Sequence, residues 1–392
     1  MGIRATRHIT KAQFNELKSL VKQRNIDAVI QYLNCLCNGW QCDNKDPEIQ
    51  RQTSELAKKY SEQSSQVMAI LGFCYLYGIG VDQNQKEAFK LFQQAAEKGN
   101  GLAKYNIASC YWNGTGGVNK DKKEAVKWFK DAAKHRHPRA MVALATLYRN
   151  GTGGVDQNLE EAFKLFQQAA EAGDSLAMFN IAFCYYNGLA DIVEKNQEEA
   201  VRWYIKSAEQ GCSAAMVSVG ISYHDGIGVK QNSVQAVRWL QEAAKENDEG
   251  ALFNLAVCYA EGNGVKQWQE QAFQHFKHAA DLGSVESMLE LSRRYEKGDG
   301  CPQDINAAFF WVKLAIKNGY KPKDQEKDVI EKYGEALKKS KSKPNDTLGF
   351  SDELEMHNYG CWDFEEPSEQ LEALGVTQIF SQNIPGVIPP GS

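Results

Sequence analysis

Seven times along the chain, apolar positions return at helical spacing in front of a tyrosine: Tyr75, Tyr111, Tyr148, Tyr185, Tyr223, Tyr259 and Tyr295. Four residues before it stands Leu71, Ile107, Leu144, Ile181, Val219, Leu255 or Leu291, and three before it a small residue such as Gly72, Ala108 or Gly220. Eight before it, Ala103, Ala140, Ala177, Ala215 and Ala251 extend the stripe. Such spacings put the residues on one face of a helix, with a notch where another helix can approach closely. They predict a first helix, A, in every unit. Glycines such as Gly78, Gly80, Gly226 and Gly228 then end it, because the turn needs backbone angles that glycine reaches most cheaply.

A second helix, B, is announced by Asn84, Asp121, Asn158, Asn196, Asn232 or Asp304. Glu87, Glu124, Glu161, Glu199 and Gln235 stand three residues further on, an arrangement like a capping box. Four residues after the cap comes an alanine, from Ala88 through Ala308, then an aromatic-rich pair such as Trp128-Phe129, then a small pair such as Ala95-Ala96. Large and small residues alternate as they must if paired helices are to interdigitate. The tyrosines lie 36, 37, 37, 38, 36 and 36 residues apart, the mark of a stacked array.

The full pattern, Ala-x3-Leu-Gly-x2-Tyr-x2-Gly-x-Gly-Val-x2-Asn/Asp-x3-Ala-x2-Trp/Leu-Phe-x2-Ala-Ala-x2-Gly, resembles the Sel1-like repeat, a relative of the tetratricopeptide repeat. The resemblance covers residues 64–320. It implies an all-α fold, a right-handed α/α solenoid (superhelix) of about seven helix-turn-helix units, used by adaptors and scaffolds. It also implies a ligand groove on a concave side lined mainly by helix A. Residues 1–63 read as an N-terminal helical cap, with amphipathic stretches at 14–36 and 48–60. Residues 321–343, with Val329, Ile330, Tyr333 and Leu337, read as a closing helix, and 344–392 as an acidic, aromatic tail, partly disordered or docked on the array. Three departures stand out: two extra residues in the fourth turn, Trp268 in a capping position, and Cys301 where other units have valine.

Charge separates along the chain. The net charge is −5, but from Asn345 onward there are nine acidic residues and no Lys or Arg, which leaves 45 basic against 41 acidic groups before it. A nearly neutral body lacks the concentrated basic stripe of a nucleic-acid binder, so no nucleic-acid partner is expected. With a mean hydropathy of −0.52 and no long apolar run, a membrane-spanning helix is not expected either. The first residues lack a secretory signal and point to the cytoplasm, or to a host cytosol if the chain is a secreted effector, a role the resemblance also allows. Met-Gly-x-x-x-Thr matches a myristoylation pattern with Gly2 as acceptor, the one route to a membrane; a chance match is the plainer reading.

Cys74, Cys110, Cys184 and Cys258 share one repeat position and read as compact buried thiols, not a disulfide framework. Cys35, Cys37 and Cys42 with His8 could staple the N-terminal cap through zinc, but the spacing lacks a Cys-x2-Cys pair and no metal site is assigned. His135, His137, His275 and His278 read as solvated, and Cys212 and Cys361 as the thiols most open to reaction. Recurrent Gly-x-Gly after a helix is a turn, not a phosphate loop, and no nucleophile elbow, P-loop or kinase signature occurs. No catalytic residue and no cofactor is expected.

Positions six, five and two before the tyrosine and one after it escape the packing pattern and are the candidates for recognition: Tyr105, Asn106, Trp112, Phe179, Asn180, Phe183, Tyr186, His224, Phe253 and Asn254. Aromatic rings supply anchors, and asparagine offers both a donor and an acceptor to a peptide backbone. Trp112, Tyr186 and the three asparagines read as groove contacts, whereas Phe179, Phe183 and Phe253 fit packing between units equally well. The function expected is a non-enzymatic scaffold or adaptor that holds a protein or peptide in its groove, with the acidic tail as a candidate self-ligand. The alternatives are a modifying or hydrolytic enzyme with its chemistry in the N-terminus or tail, and an oligomeric structural adaptor.

Overall fold

The computed structural model describes residues 19–20, 26–37 and 47–322, and among these one isolated bridge is the only departure from helices and turns. Helices α1 (Ile26–Cys37) and α2 (Pro47–Tyr60) precede seven pairs. The A and B helices are, in order, α3 (Ser65–Tyr77) and α4 (Gln85–Glu97), α5 (Gly101–Asn113) and α6 (Lys122–Lys134), α7 (Pro138–Asn150) and α8 (Leu159–Glu171), and α9 (Ser175–Asn187) and α10 (Gln197–Glu209). The last three pairs are α11 (Ser213–Asp225) and α12 (Ser233–Ala244), α13 (Glu249–Glu261) and α14 (Gln269–Asp281), and α15 (Val285–Lys297) and α16 (Ile305–Lys317). The chain forms two compact units; the first ends at Lys195, the second begins at Asn196, and the division falls inside the fourth repeat.

Within each compact unit, a complete repeat packs its A helix most extensively on its own B helix, and a B helix packs on the next A helix. This is the consecutive pairing of an α/α solenoid. The two kinds of helix differ in how they are buried. In α7 an unbroken run from Ala140 to Leu147 is buried, so the helix is enclosed on nearly all sides. In α8 only Ala162, Leu165, Phe166, Ala169 and Ala170 are buried, a single stripe at spacings of three and four. The A helices make the inner layer and the B helices turn a polar face to water; the enclosure is least at α11, which buries Ala215, Val219, Gly220 and Ser222, and at α15, which buries Ser287, Met288, Leu291 and Arg294. The notch predicted from Gly72 and Gly220 receives the B helix of the same repeat: an added Cβ would stand 2.7 Å from Phe92 and 2.9 Å from Leu240.

The turn between A and B is built the same way almost throughout. A glycine in the left-handed region ends helix A, as at Gly78 with φ 70°, and returns its N–H to the helix, here to the carbonyl of Cys74. The cap of helix B then donates its own backbone N–H to the carbonyl of the repeated tyrosine: Asn84 to Tyr75 (2.8 Å), Asp121 to Tyr111 (2.8 Å), Asn158 to Tyr148 (2.8 Å), Asn232 to Tyr223 (2.7 Å), Trp268 to Tyr259 (2.8 Å) and Asp304 to Tyr295 (2.9 Å). The capping asparagines and aspartates accept from the third residue on, as expected, for example Glu87 N to Asn84 Oδ1 at 3.0 Å. The reciprocal half of the capping box is not what holds the cap N–H, because the tyrosine carbonyl already takes it. Glu87, Glu124 and Glu199 instead pair with Lys90, Lys127 and Arg202 on the exposed first turn.

A glutamine before the cap adds a second tie that the sequence reading did not single out. Gln83, Gln157, Gln231, Gln267 and Gln303 donate Nε2 to the carbonyls of Leu76, Arg149, His224, Ala260 and Glu296, at 2.7–2.9 Å. Those carbonyls belong to the last turn of helix A, which lacks helical partners. At the cap position Trp268 makes no side-chain cap bond and is 54% exposed, yet its backbone tie to Tyr259 is intact. The lengthened fourth turn departs most: Gly188 leaves the left-handed helical region at ψ 158°, Ala190 takes φ 44°, and Leu189 pairs with Val193 in the isolated bridge.

Turns also lock onto the preceding repeat. A Cβ on Gly264 (φ 74°) would run into the Ser233 carbonyl at the start of α12, whereas one on Gly173 (φ 88°) would meet nothing within 4 Å. Gly173→Ala should therefore cost only the left-handed penalty of about 1–2 kcal/mol. Gly264→Ala should cost clearly more, since backbone must move as well. Urea denaturation of the two variants checks the order.

Candidate interaction surface

The inner helices sort the sequence-derived positions into covered and open. Trp112, expected in the groove, is 6% exposed: its ring packs on Phe129 (6.5 Å), Lys122 Nζ lies 5.0 Å from the ring centroid, and the next turn closes over it so that a Cβ on Gly153 would stand 3.0 Å from its Cζ3. Trp112 is thus directed at the turn of the following repeat, not at a ligand. Phe179 and Phe253 are 3% and 8% exposed, the packing alternative, with Phe253 edge-on to Phe276 at 5.5 Å.

Asn180 and Asn254 are also corrected, at 0% and 5% exposure. Their amides serve the interior. Each donates Nδ2 to the carbonyl four residues back, Leu176 or Gly250, at 2.8 Å. Asn180 Oδ1 accepts from Arg149 Nη1 at 3.0 Å, whereas Asn254 Oδ1 has no donor. The reason lies one repeat earlier, where Arg149 and His224 hold the same place after the tyrosine. The imidazole is the shorter side chain, and His224 Nδ1 is engaged by Asp225 Oδ1 at 2.7 Å. Beside Asn254 a cavity of about 10 Å³, lined by Gly220, Ile221, His224, Leu240 and Cys258 among others, is about the room of one water.

Tyr105, Asn106, Phe183, Tyr186 and His224 remain half-buried, at the edge of solvent. In the first unit they are joined by a pair that sequence reasoning missed: Phe73 and Tyr77 on α3, with ring centroids 4.6 Å apart and Tyr77 62% exposed. Tyr77 lies two residues past the repeated tyrosine, a place outside the positions taken as variable, and other repeats put Asn113, Asn150 and Asn187 there. Only the exposure in the fold marks it out.

Around Tyr105 the start of α7 forms a compact polar knot. His137 Nδ1 accepts from Ala140 N at 3.3 Å as the helix cap, and the imidazole stacks on Tyr105 at 5.2 Å. Burial, helped by the Arg139 charge, pushes the His137 pKa down to about 4, so this histidine is a neutral structural group and not a solvated one. His275 likewise stacks on Tyr259 at 5.5 Å and burial lowers its pKa. His135, half exposed, has Nδ1 3.6 Å from Asp131 Oδ1 and Nε2 3.2 Å from Lys104 Nζ.

The repeat-position thiols behave as expected: Cys74, Cys110, Cys184 and Cys258 are buried and outside any disulfide, and burial pushes Cys110, Cys184 and Cys258 up to about 11. Such thiols are inert at neutral pH. Cys212 is half-buried at the cap of α11 and makes no side-chain cap bond. Gly2, His8, Cys42 and Cys361 lie outside the described residues, as do the side chains of Cys35 and Cys37. Among the described residues no group of three or more potential metal ligands occurs, and no helix is long and apolar enough to cross a membrane.

Two outcomes follow from these contacts. Asn180→Leu strands the Arg149 donor in the interior and should cost about 2–3 kcal/mol, whereas Asn254→Leu removes an acceptor that has no donor and should stay within about 1 kcal/mol of wild type; urea melts of both decide. For His137, the unfolded chain takes up a proton between about pH 6.5 and 4 that the folded chain refuses, so stability falls as pH falls through that window, by up to about 2–3 kcal/mol. Asn in its place keeps a cap and should flatten that slope in denaturation measured from pH 7 to 4.

Comparison with known proteins agrees with this construction. The Sel1 repeat family model matches residues 65–100, 101–137, 138–174, 175–212, 213–248, 250–284 and 285–320, nearly the bounds read from the tyrosines. The solved structure of a Sel1 repeat protein from Oxalobacter formigenes is 34% identical, covers 64% of this chain and 99% of its own, and superposes with a TM-score of 0.58. Others are more distant: c5321, a protective antigen of uropathogenic Escherichia coli with an SLR fold, is 20% identical over 86% of this chain and 99% of its own (TM-score 0.36), and Helicobacter pylori cysteine rich protein B is 21% identical over 34% of this chain and 92% of its own (TM-score 0.27). No curated protein matches the chain. Family model, repeat length and turn construction together place the chain in the Sel1 repeat family, whose fold commonly mediates protein–protein interaction.

Proposed function

We propose that this chain is a non-enzymatic scaffold that holds a peptide segment of a protein partner along the inner helices of its first unit. The observation that carries the reading is the Phe73–Tyr77 pair on α3, an aromatic surface on the inner layer with Tyr77 62% exposed. The outer B helices offer nothing comparable there: α4 exposes Lys90, Gln93, Gln94 and Glu97, and α6 exposes Lys123, Lys127 and Lys130. Exposed aromatics cost solvation in the free protein and are the side chains that most often anchor a partner. Half-buried Tyr105, Asn106 and Phe183 extend the same layer, with rings for apolar side chains and an amide for the peptide backbone. Covered Trp112 and Asn180 are left out of the surface and act by holding its shape.

A benzophenone photo-crosslinker placed at position 77 or 106 should capture a partner from a lysate, and one at the outer position 93 should not. Alanine at Tyr77 should weaken capture from position 106 by about tenfold, roughly the loss of one aromatic anchor. Equal labelling from positions 93 and 106 would remove the inner-layer surface.

A further inference from the structure

Three cations are drawn into the inner layer, and two of them bring a counter-ion. Lys104, 7% exposed, holds Asp131 Oδ2 at 2.7 Å. Arg294, 6% exposed, has Glu290 Oε1 3.2 Å from Nε, Gln269 Oε1 3.0 Å from Nη1, and the Phe276 ring at 4.7 Å. Arg149 differs. Its Nη1 donates to Asn180 Oδ1 (3.0 Å) and its Nε more weakly to Asn150 Oδ1 (3.4 Å), and the guanidinium lies 5.9 Å from both the Phe166 and Phe183 rings. No carboxylate pairs with it among the described residues, and burial alone depresses its pKa. The remaining guanidinium donors are not enclosed: none is among the buried polar atoms left without a partner.

We propose that Arg149 is the receptor for a carboxylate of an acidic, aromatic peptide, and that its occupant is the chain's own segment 350–366. This deepens the scaffold reading by naming the ligand chemistry of the same inner layer. A guanidinium fixed by two amides and flanked by two rings presents a planar fork, the geometry that pairs with a planar carboxylate. One cation among amides and rings suits a monoanion between apolar groups, whereas a phosphate group calls for more than one basic partner.

Charge complementarity selects the occupant. Segment 350–366 holds six carboxylates, at Asp352, Glu353, Glu355, Asp363, Glu365 and Glu366, four aromatic residues and no Lys or Arg. Its core, Trp362-Asp363-Phe364, places one carboxylate between two rings, matching Arg149 beside Phe183. Tethering raises the local concentration of this weak ligand, so an outside partner must displace it.

The test titrates a fluorescein-labelled peptide copying residues 350–366 into full-length protein and follows anisotropy at low salt. A tail variant, with the six carboxylates changed to the matching amides, should bind the peptide at least about tenfold tighter than wild type, because the tethered competitor is gone. Adding Arg149→Gln to that variant should lose at least about tenfold, Arg149→Lys should fall between, and raised salt should weaken binding. Thermal melts report whether each variant is folded, and the Lys variant decides the matter if the Gln variant is not. Binding indifferent to Arg149 in folded protein overturns the receptor. Binding that needs Arg149 but is equal in wild type and tail variant overturns the chain's own segment as occupant, and a tail effect that grows with protein concentration reassigns it to a second copy. Crosslinking from position 106 does not depend on any of these outcomes, so the scaffold reading fails or stands separately.

Discussion

A single backbone hydrogen bond, from the cap of each B helix to the carbonyl of the repeated tyrosine, sets the geometry on which the rest of this protein depends. It recurs at 2.7–2.9 Å in six of the seven turns. A helix end normally leaves carbonyls to water, and a helix start leaves N–H groups unpaired. Here the end of A and the start of B satisfy each other, and the glutamine before the cap takes one more carbonyl. The A–B angle is thereby fixed by the main chain, so the side chain at the cap can vary. Trp268 stands where an asparagine would, makes no cap bond, and the turn keeps its form.

From that fixed angle follows the division into layers. Where helix A packs against its neighbours, a polar group carried inward is costly unless it is paired. Asn180 is paired with Arg149, and Lys104 with Asp131. Where the pairing partner is shortened, as His224 is relative to Arg149, a water-sized space and an acceptor without a donor remain. What the layers leave uncovered in the first unit is an aromatic edge at Phe73 and Tyr77 and, at Arg149, a half-buried cation with no carboxylate partner among the described residues.

The repeats, their helices and most of the caps were legible because each is a local matter. A glycine needed at φ near 70°, an asparagine accepting from the third N–H on, and a small-residue notch all leave their mark within a few residues. The candidate surface was much less legible. Variation between repeats at the positions of Trp112, Asn180 and Asn254 looked like freedom from packing, yet each of these side chains meets a residue about thirty to forty positions away: Trp112 meets Gly153, Asn180 meets Arg149, and Asn254 lies at the cavity beside His224. Their neighbours vary too, so they vary without being exposed. Tyr77 escaped for the opposite reason, because nothing in its local pattern distinguishes it from a helix-ending residue.

By itself the amino-acid order determined the period, the helix pairs, the buried thiols and the family, since helix periodicity, turn chemistry and capping act over distances shorter than one repeat. Only the tertiary structure decided which cap partner each N–H takes, which aromatic rings reach solvent and which half-buried cation lacks an acid among the described residues, since these depend on how one repeat closes over the next. Exposure and charge pairing are properties of side chains brought together across turns, and a pattern read along a single strand of sequence carries no record of them.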